Sequence, residues 1–450
     1  MSEPSQPGVA PPDAAVSRGD GLAGHSIELF VAQIASSTGY FAAVLVIARE
    51  LGAAGRGTFA FVTVAALLVG RAASLGVADA SAVLAAKHPD RRPPLLASVG
   101  LIAAATSLTV SAALALTLTT LMPPGEPAGI DDVLLIALVG GAFATASMDA
   151  VFGFLLGCSR FRPYAVGTAV ASWAYALLLI VLVLVDELSV RSAAFSWMAG
   201  HLLAALVGFA YAATAFGIQL PTLAVLRECL VFGLRASVGT FSRFLSFRAD
   251  QVLMGFLTTE AVLGIYAVAV NASEILLYLP WAAAMAFLPL SASGRLSAPA
   301  QVLATFRMLV IASLASIVLA VIVGPPLLPL VFGSEFEGSV TPFLILIPAP
   351  IGYSAIWLFS NALLAASRPG RASVGPFSSL VIGLALAAAL IPVWEAKGAA
   401  LAATLGYLAG GIVAAATYRT MFRVHVAGFL PRPADARSLV ALIRHRPAET

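Results

Sequence analysis

A chain of 450 residues that is 60% hydrophobic, only 10% charged and of mean hydropathy +0.97 is not a water-soluble domain, because an aqueous surface needs far more charge. Its formal net charge of +3 is small for its length, and no nucleic-acid partner is expected. Apolar runs of about 20 residues, long enough to cross roughly 30 Å of hydrocarbon as a helix, recur almost throughout.

Residues 1–25 are rich in Pro, Gly and Ser and carry no apolar segment, so a disordered cytoplasmic tail is expected there. The stretch from Ser26 to Ala48 is too long for a signal-peptide core and lacks a following small-residue cleavage site, which makes it the first expected span. Apolar runs bounded by Pro, Gly or charge place eleven more at 57–86, 94–120, 132–157, 163–185, 190–216, 226–256, 260–290, 302–323, 338–366, 372–392 and 397–420. Residues 421–450 form a second tail. Within it, 434–446 sets Leu439, Val440, Leu442 and Ile443 on one side and Arg437, Arg444 and Arg446 near the other, the pattern of a short helix lying on anionic membrane lipid, with disorder as the alternative. Cys158 and Cys229, the two cysteines, are too few for a disulfide framework and too isolated for a metal site, so both are expected reduced and structural.

Loop charge orients these spans. With the N-terminus in the cytoplasm, the connections on that side hold Lys87, Arg91, Arg92, Arg160, Arg162, Arg227, Arg295, Arg368 and Arg371. The opposite connections are acidic, with Glu126, Asp131, Asp132, Asp186, Glu187, Glu260, Glu335, Glu337 and Glu395 against Arg49, Arg56, Arg191 and Lys397. An even number of spans with both termini cytoplasmic satisfies this asymmetry, and an inner membrane is the expected location.

The chain also resembles itself. Gly57-Thr-Phe-Ala60 parallels Gly264-Ile-Tyr-Ala267 at an offset of 207; Leu155-Leu156, Ser159-Arg160 and Val166-Gly167 parallel Leu363-Leu364, Ser367-Arg368 and Val374-Gly375 at 208; Ala193-Ala194 and Gly200 parallel Ala399-Ala400 and Gly406 at 206. The expected fold is therefore an all-α polytopic membrane protein of about twelve transmembrane helices. It would comprise an N-lobe (26–218) and a C-lobe (219–420) of six helices each, related by a pseudo-twofold axis along the membrane normal, with a cavity between them.

Enzymatic roles find no support. The two lysines, Lys87 and Lys397, lie outside any phosphate loop, the five histidines show no metal-ligand spacing, and no nucleophile elbow is present. The internal loops, about a dozen residues at most, leave no room for the extramembrane domain that a membrane glycosyltransferase usually carries. Charge within the spans is more informative, since an Arg or Asp at a helix centre costs roughly 2.5–3.5 kcal/mol unless paired or hydrated. Arg71, Asp149, Arg243 and Glu274 fall near mid-span. In the seventh span Arg235, Thr240, Arg243 and Asp250 share one broad face, whereas Arg248 points elsewhere and is expected to snorkel to headgroups. Asn271, Glu274 and Tyr278 make a polar stripe on the eighth, with Pro280 beyond it to bend the helix, and Gln33, Ser36, Ser37 and Tyr40 make another on the first. Arg71 and Asp79 lie within about 80° of each other on the second span. Arg71, Arg235 and Arg243 are thus candidate phosphate-binding residues of a cavity, because a guanidinium fork suits phosphate. Asp79, Asp149, Asp250, Asn271 and Glu274 are candidate cavity or ion-coupling residues; the alternative is that the arginines and these acids pair with one another. His201 is expected to pack through a hydrogen bond.

The segments Leu51-Gly-Ala-Ala-Gly-Arg-Gly-Thr-Phe-Ala60, Ser74-Leu-Gly-Val-Ala-Asp-Ala80, Gly157-Cys-Ser-Arg-Phe161, Arg248-Ala-Asp250, Leu263-Gly-Ile-Tyr-Ala267, Leu330-Val-Phe-Gly333 with Glu335-Phe336, and Lys397-Gly-Ala-Ala400 together resemble bacterial polysaccharide (O-antigen type) flippases of the multidrug/oligosaccharidyl-lipid/polysaccharide exporter superfamily. The resemblance spans 26–420 and implies two lobes that open alternately to either face. It further implies an undecaprenyl-pyrophosphate-linked oligosaccharide as cargo, a Na⁺ or H⁺ gradient as driving force in place of a bound cofactor, and other polysaccharide-assembly proteins as partners. A cation-coupled multidrug exporter of the same fold is the alternative. A major-facilitator transporter is a lesser one, since Lys87-His-Pro-Asp-Arg-Arg92 is a poor match to the basic turn that follows its second helix.

Overall fold

The computed structural model describes residues 16–121, 127, 129–277, 299–366 and 368–435, without the side chains of 16–32, 236–240, 242, 243 and 369. Every regular element among them is helical. In chain order these are α1 (Val16–Ala73), α2 (Val77–Lys87), α3 (Arg92–Leu121), α4 (Asp132–Gly157), α5 (Phe161–Leu184), α6 (Val190–Phe216), α7 (Leu223–Leu257), α8 (Glu260–Glu274), α9 (Pro299–Phe332), α10 (Val340–Leu346), α11 (Ala349–Ala365) and α12 (Val374–Phe422). By length and composition eight helices among the described residues can cross a membrane, or nine if the pair Ser334–Leu346 and Ala349–Ala365, bent by 47°, is one span.

Two of the long helices double back. At Gly52 (φ 64°) α1 leaves helical geometry, and Tyr40 before the break lines the same small cavity as Thr63 after it. In a straight helix those residues would stand about 35 Å apart. At Glu395 (φ 49°), three residues after Pro392, α12 reverses in the same way, and a Cβ on Gly406 would meet Gly383 Cα at 2.9 Å. Gly52 takes a conformation that glycine adopts without a Cβ penalty, and a side chain there would also strike Glu335 Oε2 at 2.7 Å.

Among the described residues the apolar core is shared at one end of the bundle and divided at the other. At the end away from the chain termini, one cluster joins Val44, Ile47, Phe59, Leu138 and Trp197 to Leu263, Tyr266, Phe336, Ile391 and Ala399. At the terminal end there are two clusters. One holds Val77, Leu96, Phe154 and Ala204, and the other Leu303, Phe306, Phe359 and Tyr418. Val225 and Cys229, in the first turns of α7, pack into the former, so the start of α7 belongs with the N-terminal half although the repeat assigns it to the C-terminal one. Both cysteines are free and buried.

At the shared end the sequence motifs meet. Arg49 donates from Nε to Val331 O at 2.7 Å and from Nη2 to Leu330 O at 2.6 Å, satisfying carbonyls that the end of α9 leaves open. Glu335 in return accepts from the Ala53 backbone N–H at 3.2 Å, capping the second arm of α1. Beside this clasp, α1 and α8 cross with no intervening side chain. A Cβ on Gly57 would lie 1.8 Å from Glu260 O, and one on Gly264 would lie 1.9 Å from Ala53 O. Gly57 meets the carbonyl four residues before Gly264, and Gly264 meets the carbonyl four residues before Gly57. The contact is reciprocal, and these two glycines are the pair that the 207-residue repeat relates.

Two expectations need correction. The first helix begins at Val16, so 16–25 are helical and not a disordered tail. The expected span 57–86 is broken at Leu75 (φ 49°) and Gly76 (φ 71°), where Ser74 Oγ donates to Arg71 O at 2.9 Å and competes with the helical ladder. The C-terminal tail begins docked against α9. Arg307 of α9 holds Asp435 through Nε (2.7 Å) and Nη2 (3.0 Å) and reaches Gly428 O at 2.9 Å, while Phe429 sits against Phe306 and Phe359. Residues 1–15 and 436–450, including most of the proposed surface helix, lie outside the described residues.

The hydrogen bonds from Arg307 hold the Asp435 carboxyl below its usual range, with burial acting in the opposite direction. A depressed carboxylate adds stability that is complete above its ordinary value near ~4 and is lost as pH falls through the lower folded value. Hydrogen-exchange protection of 424–435, corrected for intrinsic rate, is therefore expected at neutral pH and lost in acid. Asp435→Asn should lower it about tenfold at neutral pH, the effect of about 1.4 kcal/mol on a local opening equilibrium. Unchanged protection would show that the strap is held by its aromatic contacts alone.

Candidate functional site at the seam between the halves

The polar candidates gather where α1, α2 and α4 face α7 and α8. In the N-terminal half, Arg71 closes the second arm of α1 and pairs with Asp149 of α4, Nε to Oδ2 at 2.9 Å and Nη2 to Oδ1 at 3.4 Å. Its guanidinium also lies 4.7 Å from the Phe244 ring of α7, a cation–π contact between the halves. With the Arg71 side chain 38% exposed, the pair faces a cavity of about 50 Å³ that Ser74, Gly76, Asp79 and Phe241 also line. The break at 74–76 places the buried Gly76 on the wall of this cavity beside Asp79. Gly233 of α7 presses on it, since a Cβ there would meet Leu75 O at 2.5 Å.

The C-terminal half holds a second constellation. Asp250 of α7 accepts from Tyr266 Oη of α8 and, at 2.8 Å, from the Gln251 backbone N–H. It lines two cavities of about 20 and 30 Å³, both shared with Tyr407 of α12. Glu274 lines the larger of these and grips Arg248 in a fork, at 2.6 Å (Nη1 to Oε1) and 3.2 Å (Nη2 to Oε2). Arg248 thus does not snorkel to headgroups as expected. Its side chain is 19% exposed, turned into the protein by a carboxylate on the neighbouring helix. Arg56, expected in a loop, is instead 3% exposed in the first turn of the second arm of α1.

The remaining candidates divide. Arg235 is exposed, while the Arg243 side chain, Tyr278 and Pro280 lie outside the described residues. Asn271 and Glu274 do share a stripe of α8, but they line different cavities. His201 packs as expected, with Nδ1 donating to Trp197 O at 2.9 Å and its ring on the Trp197 indole. Sequence reasoning passed over Arg56, Gln251, Tyr266 and Tyr407. A charge at a span boundary reads as loop, and a tyrosine in an apolar run reads as packing. The Gly-Arg-Gly of 55–57 was the available clue, because two glycines flanking an arginine mark a close helix crossing that can bury it. A larger cavity, about 330 Å³, lies elsewhere, between α9, α11, α12 and the tail; it is apolar apart from Arg419 and holds none of these residues.

The fold has solved counterparts. An inward-facing MATE family multidrug resistance transporter of the MOP superfamily superposes at TM-score 0.66 with 14% identity, covering 91% of this chain and 96% of that one. The lipid II flippase MurJ in an inward closed conformation superposes at 0.72 with 13% identity, covering 95% and 93%. A point mutant of the Vibrio cholerae MATE transporter VcmN gives 0.58 with 15% identity, covering 90% and 99%. No curated protein sequence matches the chain. Residues 25–294 match the family model described as polysaccharide biosynthesis protein.

Proposed function

Because this chain belongs to the polysaccharide biosynthesis protein family, we propose that it is a flippase that carries an undecaprenyl-pyrophosphate-linked oligosaccharide from the cytoplasmic to the outer leaflet of a bacterial inner membrane by alternating access. The observation that carries the reading is the core shared at one end and divided at the other, with Arg71 facing a cavity between the halves. In this reading the two lobes are 26–218 and 219–420, with the first turns of α7 packed against the N-lobe, twelve helices in all with both termini cytoplasmic, and the divided end is the one through which cargo enters. Arg71, Arg235 and Arg243 meet the anionic pyrophosphate. Asp79, Asp149, Asp250, Asn271 and Glu274 line the path or couple a Na⁺ or H⁺ gradient. Arg71 is already matched by Asp149, so cargo binding exchanges one ionic partner for another, a swap that avoids leaving the guanidinium bare in the membrane. No catalytic residue is required, and polysaccharide-assembly proteins are the expected partners.

Replacing Arg71 or Arg243 by Gln should remove a charge-assisted contact of about 1.5–3 kcal/mol and lower surface glycan export roughly 10- to 100-fold while the protein still reaches the membrane. Arg71→Lys should restore little, since an ammonium lacks the fork. Wild-type export in both Gln variants would sink the assignment. Intact glycan with heightened sensitivity to cationic dyes in a deletion strain would point instead to drug export.

A further inference from the structure

Between the halves lies a pocket of unused donors. Arg56 is 3% exposed, forms no ion pair among the described residues, and its Nε has no hydrogen-bond partner. Its guanidinium rests over the Phe59 ring at 5.8 Å. Arg248, whose charge Glu274 already meets, shares the cavity, and the neutral polar groups around it include Tyr40, Thr63, Gln251 and Asn271. Gln251, 2% exposed, leaves Nε2 without a partner, as Asn271 does Nδ2 and Tyr175, 1% exposed, its hydroxyl. Arg56, Gln251 and Asn271 line one cavity of about 20 Å³, room for a single water-sized particle.

Arg56 Nε, Gln251 Nε2 and Asn271 Nδ2 are unmet donors, and the Tyr175 hydroxyl can turn to donate as well. A water molecule could meet these donors and give its own protons to the amide and hydroxyl oxygens around the cavity, but it carries no charge. It therefore leaves the charge of Arg56 uncompensated, and a buried unpaired charge costs several kcal/mol. A monatomic anion accepts from every side and cancels the charge. Phosphate and carboxylate are too large for this volume. We propose that the cavity formed by Arg56, Gln251 and Asn271 binds a chloride-sized halide. The ion bridges the halves, since Arg56 comes from α1 whereas Gln251 and Asn271 come from α7 and α8. Because Arg56 adjoins Gly57 at the reciprocal crossing, the shell exists only while that end is closed, and parting the halves releases the ion.

The site is tested on the purified full chain in detergent by thermal unfolding at constant ionic strength, with sodium gluconate replaced stepwise by sodium chloride or bromide. A saturable rise in midpoint with either halide is expected, as for any ligand that binds the folded state. Arg56→Met should abolish the rise and unfold above wild type in pure gluconate, because it removes the uncompensated charge. Gln251→Leu/Asn271→Leu keeps Arg56 and should weaken halide dependence at least tenfold in concentration, which serves if the arginine variant does not fold. Equal midpoints for wild type in gluconate, chloride and bromide would overturn the proposal. So would crystals of the closed state grown in bromide with no anomalous peak between Arg56 and Gln251.

Discussion

Gly57→Ala is expected to abolish export and to open the end of the molecule that is closed in this structure. The added Cβ would stand 1.8 Å from Glu260 O and 2.9 Å from Gly264 N. Both are backbone atoms of another helix, so no rotamer relieves the clash and α1 and α8 must separate. Gly264→Ala meets Ala53 O at 1.9 Å and should behave alike, and because both substitutions wedge the same crossing their effects should not add. The readout is a cysteine at Met254, which is fully buried in the shared core. With Cys158 and Cys229 replaced by Ala, an impermeant maleimide added from that side should label Met254→Cys about tenfold faster once Gly57 is Ala, as a shift of about 1.4 kcal/mol toward the parted state requires. A folded Gly57→Ala protein with wild-type labelling and export would show that the crossing is packing and not a seal.

Glu274→Gln is expected to cost about 3 kcal/mol of stability, read as a lowered unfolding midpoint in detergent, because it strands Arg248 inside the protein. The loss comes from the uncompensated charge more than from the missing contact. Replacing both partners, Arg248→Leu with Glu274→Leu, should therefore recover most of it, whereas an additive double variant would show that the two residues do not act as a pair. The pair Arg71 and Asp149 should behave more mildly. Its arginine side chain is 38% exposed, against 19% for Arg248, so solvent can take up the stranded charge, and Asp149→Asn should cost about 1 kcal/mol. The two ion pairs thus differ in surroundings. The half-buried fork ties α7 to α8, while the more exposed pair borders a cavity of about 50 Å³.

Span positions were legible because hydropathy is a local property. The helices α4 and α6 begin and end within a residue of the ranges read from apolar runs and their Pro, Gly and charge boundaries. The repeat was legible for a related reason. Gly57 and Gly264 recur at one offset because each must offer a bare backbone to the other, and no larger residue satisfies both sides of a reciprocal contact. The motifs Leu51–Ala60, Leu263–Ala267 and Leu330–Phe336, which carried the family resemblance, turn out to be the parts of one clasp.

The pairing of intramembrane charges was not legible. Helical periodicity says which residues share a face but not which helix faces them, so Arg248, pointing away from Arg243 on a wheel, was sent to the headgroups when Glu274 of α8 was waiting on that side. The same limit hid Arg56, whose burial depends on a crossing between segments some 200 residues apart, and the strap, whose Asp435 meets Arg307 across 128 residues. What the sequence by itself determined is the solvent: 60% hydrophobic residues in runs of span length can fold only in lipid, and their order dictates where the chain crosses. What the tertiary structure decided is where each costly charge goes. In hydrocarbon that choice rests on a partner within about 3 Å, and only the packed helices determine who that partner is.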